Sequence, residues 1–144
     1  MHICITYESK YGNGKKCVEY LRDVLLKDGH DVKLLSVRKT DPSSLPLAEL
    51  YIFSAPTHAG NVAGKMKRFL KAVSIPQENA KYALITTCLD PPKTKSLKTM
   101  ESLLESKGIS RAVDGLMIKV KGMKGPCESG HEEQLKAFAN GVAV

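Results

Sequence analysis

Apolar residues along this chain follow two alternating rhythms. Short runs rich in β-branched and aromatic side chains recur at Ile3–Thr6, Asp31–Val37, Leu50–Ala55, Tyr82–Thr87 and Leu116–Val120. Each reads as a strand, and the near-continuous apolar run LYIFSA suits one buried on both faces. Between these runs the apolar spacing becomes helical. Cys17, Leu21, Val24 and Leu25 form one stripe with Glu19, Arg22 and Lys27 opposite, which predicts a helix from about Gly14 to Asp28, stopped by Gly29. Val62, Met66, Phe69, Leu70 and Val73 form a second stripe, backed by Lys65, Lys67, Arg68 and Lys71. A third uses Leu97, Met100, Leu103 and Leu104 and ends at Gly108; a last one uses Leu135, Phe138, Ala139 and Val142. Arg38–Leu47, broken by Pro42 and Pro46, predicts a loop with one helical turn. Cys88–Lys93 predicts a turn whose prolines keep it from being helical, and Gly122–Gly130 a loop.

Strands alternating with helices predict an α/β fold with a parallel sheet covered on both faces, in a single domain over residues 1–144. Such sheets bind ligands beyond the carboxyl ends of their strands, where the strand order reverses. Three loops leave those ends: Glu8–Gly14, Pro56–Asn61 and Cys88–Lys93. All are polar or rich in Gly and Pro, and all are expected on one sheet edge.

The first of these loops carries the clearest chemistry. A strand that empties through Gly12-Asn13-Gly14 into a helix start makes an anion cradle. The first helical turn has unpaired N–H groups and roughly half a positive charge from the aligned peptide dipoles. The same arrangement also serves as a plain βα connection. Two nucleotide patterns are excluded. A Walker loop needs Gly where Ser9 stands and Ser or Thr where Lys16 stands; a dinucleotide fingerprint needs a third Gly where Cys17 stands. A phosphoacceptor domain of the same winding needs clustered acids at the end of the first strand, where only Glu8 is present.

Composition narrows the class further. At 144 residues, 42% hydrophobic and 26% charged, this is ordinary globular material. No apolar run reaches the ~18 residues of a membrane span, and the immediate entry into a strand predicts no targeting segment. The four cysteines lack CxxC or zinc-like spacing, so no metal site is expected. Cys4 and Cys17 fall on apolar positions, which predicts reduced core thiols and a cytoplasmic setting. The net charge of +7 favours an acidic partner. Nucleic acid is not expected, since no basic, aromatic-interleaved strand or zinc finger spacing accompanies the charge.

YESKYGNG at the first turn, SAPTHAGNVAGKMKRFL at the third strand and helix, and TTC at the fourth strand together resemble the flavodoxin-like flavoproteins over essentially the whole chain. The resemblance implies a three-layer sandwich with a five-stranded parallel sheet in the order 2-1-3-4-5, binding flavin mononucleotide (FMN) at its carboxyl edge. The family's first loop is a Ser/Thr-x-Thr-Gly-Asn-Thr run. Here Ser9 takes the first hydroxyl position, Gly12-Asn13 match, Tyr11 replaces a Thr, and Gly14 stands where the last Thr binds phosphate. Lys10, Lys15 or Lys16 would offset the lost hydroxyl by charge. The second loop, Pro56, Thr57, His58, Ala59, Gly60 and Asn61, maps to the segment flanking the isoalloxazine ring. His58 is its only ring-bearing residue, and Gly60 is placed to turn a peptide carbonyl towards reduced flavin N5. The third loop, Thr87, Cys88 and Leu89, lacks the family's aromatic cover, which implies a more exposed ring or one covered by a neighbouring subunit.

The implied function is electron transfer between redox proteins, with no catalytic acid or base in the chain. The basic surface departs from the usual acidic flavodoxin and makes an acidic redox partner the electrostatic expectation. Two alternatives stay open: an FMN-dependent NAD(P)H/quinone-type reductase acting as a dimer, and a flavodoxin-shaped binding module without flavin.

Overall fold

The computed structural model describes residues 1–142. Strand β1 (His2–Tyr7) leads into helix α1 (Asn13–Lys27), then β2 (Asp31–Ser36), β3 (Leu50–His58), β4 (Asn61–Val62) and α2 (Gly64–Ala72). There follow β5 (Lys81–Cys88), α3 (Ser96–Glu105), β6 (Ser110–Arg111), β7 (Leu116–Lys119) and α4 (His131–Val142). The sheet runs β2-β1-β3-β5-β6, with β7 also on β5 and β4 on β3. All pairings are parallel except the β3–β4 hairpin.

The expected 2-1-3-4-5 order is present, with two additions. The fifth strand is split: Ser110 and Arg111 pair with Lys81 and Tyr82, and Leu116–Lys119 pair with Ile85–Cys88. Between the fragments the chain leaves the sheet at Gly115, where a Cβ would come within 2.9 Å of the Leu97 side chain. The second loop is also more regular than expected. β3 continues through Pro56, Thr57 and His58, turns at Ala59-Gly60, and returns as β4, with Thr57 opposite Val62 and His58 opposite Asn61. Val62 therefore belongs to a strand, not to the helical stripe. The segment after β5 also differs from expectation: Pro91–Lys93 form one 3₁₀ turn with proline at its start, a position where the missing N–H costs nothing. A similar turn, Val37–Lys39, falls where one was expected.

Period-two alternation along the strands fills both faces of the sheet. Cys4, Tyr51, Phe53, Tyr82 and Leu84 pack with Met66, Leu70, Met100 and Leu104 of α2 and α3. Ile3, Ile5, Leu50, Ile52, Ala83 and Ile85 pack with Val18, Leu21, Leu135 and Ala139 of α1 and α4. Two helices on each face make the three-layer sandwich, and every βα loop is thereby carried to the carboxyl edge. No helix among the described residues is long and apolar enough to cross a membrane.

Candidate functional site

A cavity of about 330 Å³ opens at that edge, within the ~300–1,000 Å³ typical of cofactor pockets. Four segments line it: Ser9, Lys10, Tyr11, Asn13 and Gly14 after β1; Pro56–Ala59 at the end of β3; Thr87–Leu89 at the end of β5; and Val120 with Met123 after β7. The three expected loops thus converge. Gly12, Gly60 and Asn61 are not among the lining residues, and the fourth wall was not anticipated. Its signal was available, because Gly122–Gly130 leaves the carboxyl end of the last strand and must reach the same edge.

The first wall is the start of α1. Gly12 caps the helix in the left-handed region, at φ 92°, with no side-chain cap. Ser9 compensates: its Oγ accepts the Gly12 N–H at 3.1 Å and the Lys15 N–H at 3.2 Å. Those two bonds use the oxygen's acceptor capacity and leave the O–H free to donate. The Asn13 and Gly14 amides, in the first turn, have no intrahelical acceptor. No acidic residue stands in that turn, and the lining contains no carboxylate. Glu8 is close in sequence but its Oε1 accepts the Met66 N–H of α2 at 2.7 Å. The donor set therefore suits an anion. Lys10 lines the cavity, whereas Lys15 and Lys16 are exposed outside the lining.

The second wall is pinned by a hydroxyl cluster. Thr57 Oγ1 lies 2.8 Å from Thr86 Oγ1, 2.9 Å from Thr94 Oγ1 and 2.6 Å from Ser96 Oγ. With one donor and two acceptor sites, that hydroxyl is saturated and holds β3 to the segment before α3. Asn61 adds a second tie, its Oδ1 accepting the Thr99 hydroxyl and the Val62 N–H at 2.8 Å each. Gly60 is tied in as well: its carbonyl accepts the Lys95 N–H at 2.7 Å and keeps a second lone pair. Ala59 lines the cavity beside it, at a positive φ of 52°.

The remaining walls are apolar. Cys88 is buried, and burial first, then Asp90, pushes its thiol pKa up. That is the opposite of nucleophilic activation. Leu89 and Met123 are among the most exposed large apolar side chains of the molecule, and Tyr11 is 38% exposed at the mouth. The Tyr11 ring lies under Lys10 Nζ at 5.4 Å and Lys124 Nζ at 6.0 Å. A flat group in this cavity would be edged by Tyr11, His58, Leu89 and Met123 and left partly open to solvent.

The fourth wall is keyed to the first. A Cβ on Gly125, at φ +92°, would come within 2.2 Å of Asn13 Oδ1. Only glycine meets both the backbone conformation and the space. No group of three metal-ligating side chains occurs among the described residues.

The family model described as Flavodoxin domain matches residues 4–116. The fold is similar to that of oxidised Flavodoxin 1 from Bacillus cereus, with a TM-score of 0.84, 18% identity, and 99% of this chain and 97% of that one covered. Oxidised Flavodoxin 2 from Bacillus cereus matches at 0.83 and 20%, covering 99% and 98%. The Streptococcus pneumoniae TIGR4 flavodoxin matches at 0.82 and 18%, also covering 99% and 98%. No curated protein gives a significant sequence match.

Proposed function

The chain belongs to the Flavodoxin domain family, and on that premise we propose that it binds FMN and carries electrons between redox proteins. One observation supports this above the others. The start of α1, where the Asn13 and Gly14 amides lack an intrahelical acceptor and no carboxylate is present, forms one end of a cavity whose far walls are mainly apolar and open at the rim. A dianionic phosphate suits the first end, and a flat, partly exposed ring suits the second.

In this reading the Asn13 and Gly14 amides, the Ser9 hydroxyl and Lys10 hold the phosphate. Pro56–Ala59, Thr87–Leu89, Val120 and Met123 border the ring and exclude water from its inner side. The bound flavin supplies the electron chemistry, and the chain supplies position and access. No side chain is assigned a catalytic proton transfer. Lys10, Lys93, Lys121 and Lys124 are exposed on the segments that form the rim, so the partner we propose presents acidic side chains there.

The test is to purify the protein, add FMN, and record the absorbance spectrum and the quenching of flavin fluorescence. A yellow protein with saturable quenching is expected; a colourless protein with no quenching refutes the reading. Electron transfer to an acidic redox protein is expected to slow as salt is raised. A rate that ignores or rises with salt removes the acidic partner but leaves the flavin site standing.

A further inference from the structure

The sulfurs of Cys17 and Cys127 lie 3.7 Å apart, across a sequence separation of 110 residues. All four cysteines are free thiols, and Cys17 and Cys127 are the pair in contact. Their positions give the contact a consequence. Cys17 sits one helical turn beyond Asn13, which lines the cavity. Cys127 is bridged directly to Val120, a residue of the fourth wall. Bonds from Lys121 N–H to the Pro126 carbonyl and from Glu128 N–H to the Lys119 carbonyl flank that bridge. A covalent link here would join the backs of two cavity walls.

We propose that Cys17 and Cys127 are a redox-responsive pair, which a low-molecular-weight disulfide such as oxidised glutathione converts to a disulfide that locks the loop after β7 onto α1. The sulfurs must approach by about 1.7 Å to reach the bond length of roughly 2.05 Å. Cys127 is only half-buried, while Cys17 is 1% exposed, so Cys127 enters first. Its thiolate attacks one glutathione sulfur, the glutathione S–S bond breaks, and one glutathione thiolate leaves. Cys17 gives its proton to that leaving thiolate and attacks the Cys127 sulfur of the mixed disulfide, releasing the second glutathione. One glutathione disulfide is reduced to two thiols as two protein thiols are oxidised. Burial, with Cys127 adding to it, raises the Cys17 thiol pKa, which makes the second step the slow one.

The experiment incubates the full chain with oxidised glutathione, alkylates the remaining thiols after denaturation, and maps the products by mass spectrometry. A peptide pair joined at Cys17 and Cys127 is expected, with Cys4 and Cys88 alkylated. Hydrogen exchange of the amides from Val120 to Glu128 is expected to slow on the order of tenfold and to recover on reduction. Cys17→Ser is expected to accumulate a glutathione adduct on Cys127. A lasting adduct on Cys127 of the unaltered protein with no cross-link overturns the proposal, as does a cross-link that leaves exchange unchanged. Neither readout involves flavin, so the thiol pair is tested equally well in a chain that fails to bind FMN.

Discussion

Glu8 Oε1 accepts the backbone N–H of Met66 at 2.7 Å, from a residue 58 positions away in the chain. Helix α2 begins after Ala63, with no side-chain cap and no acid of its own in the first turn. The carboxylate at the end of β1 therefore caps a helix from the third βα unit, with the helix dipole in its favour. It also draws the one acid beside the anion cradle away from the cavity. Glu8→Ala is expected to destabilise the protein by about 1–3 kcal/mol, because it strips a cap in a buried setting. Glu8→Gln keeps an acceptor and is expected to lose less. Urea unfolding midpoints check both, and an unchanged midpoint for Glu8→Ala would show that the bond contributes nothing net.

Gly14 offers a gain instead of a loss. A Cβ there would lie 3.6 Å from the Glu8 carbonyl oxygen and 3.7 Å from Ser9 Oγ, ordinary contact distances. Gly14→Thr is expected to fit and to add a hydroxyl at the phosphate, tightening FMN by about tenfold or more. Gly14→Ala, which adds only the methyl, is expected to leave the affinity unchanged. Flavin fluorescence titrations separate the two, and equal affinities would mean that the added hydroxyl does not reach the phosphate.

Ala59 and Gly60 both have positive φ, 52° and 82°, as a two-residue hairpin turn of the primed type requires. Ala59 is the strained member, since an L side chain in the left-handed region costs about 1–2 kcal/mol. Ala59→Gly is expected to raise stability by about 0.5–1 kcal/mol, and Ala59→Val to lower it. Thermal unfolding of the flavin-free chain measures this without interference from ligand binding.

The core thiols predict an alkaline limit. Burial raises the Cys4 pKa from 9.0 to about 11, with a bond to Thr6 and the charge of Lys33 opposing it. The folded state then keeps a proton that the unfolded chain gives up, so stability holds below pH 9 and falls as pH rises from 9 towards 11. Two pH units correspond to about 2–3 kcal/mol. Cys17 and Tyr82, also raised chiefly by burial, extend the loss in the same direction. Urea titrations from pH 8 to 11 should show the decline, and Cys4→Ala should make it shallower, leaving the share that Cys17 and Tyr82 contribute. A parallel decline in Cys4→Ala would move the cause to other groups.

Much of this architecture could be read from local pattern. The near-continuous apolar runs LYIFSA and YALITT mark strands buried on both faces, and the 3.6-residue stripes from Cys17 and Leu97 mark the inner faces of helices. Once strands and helices alternate, parallel winding brings the Ser9, Pro56 and Thr87 segments to one edge. That reading failed at Pro56–Asn61, where a strand continues into a hairpin. Its turn is Ala-Gly, and nothing in the local composition distinguishes it from a loop. It also missed β6, because two residues carry no periodicity; Ser110 and Arg111 are strand only because β5 lies alongside them.

The class of fold, the two apolar faces of the sheet and the three loops at its carboxyl edge were thus written in the linear chain. They depend on periodicity and on the local conformational demands of Gly and Pro, which any stretch of sequence displays. Which polar groups meet was settled by packing in three dimensions. Glu8 turned to the α2 amide, Thr57 became the centre of a four-hydroxyl cluster, Gly60 gave its carbonyl to Lys95, and Cys17 came against Cys127. Each of these joins residues distant in sequence, and hydrogen-bond and sulfur contacts act only over a few ångströms. Their partners are therefore set by how the layers pack, which is a property of the whole core and not of any one stretch of chain.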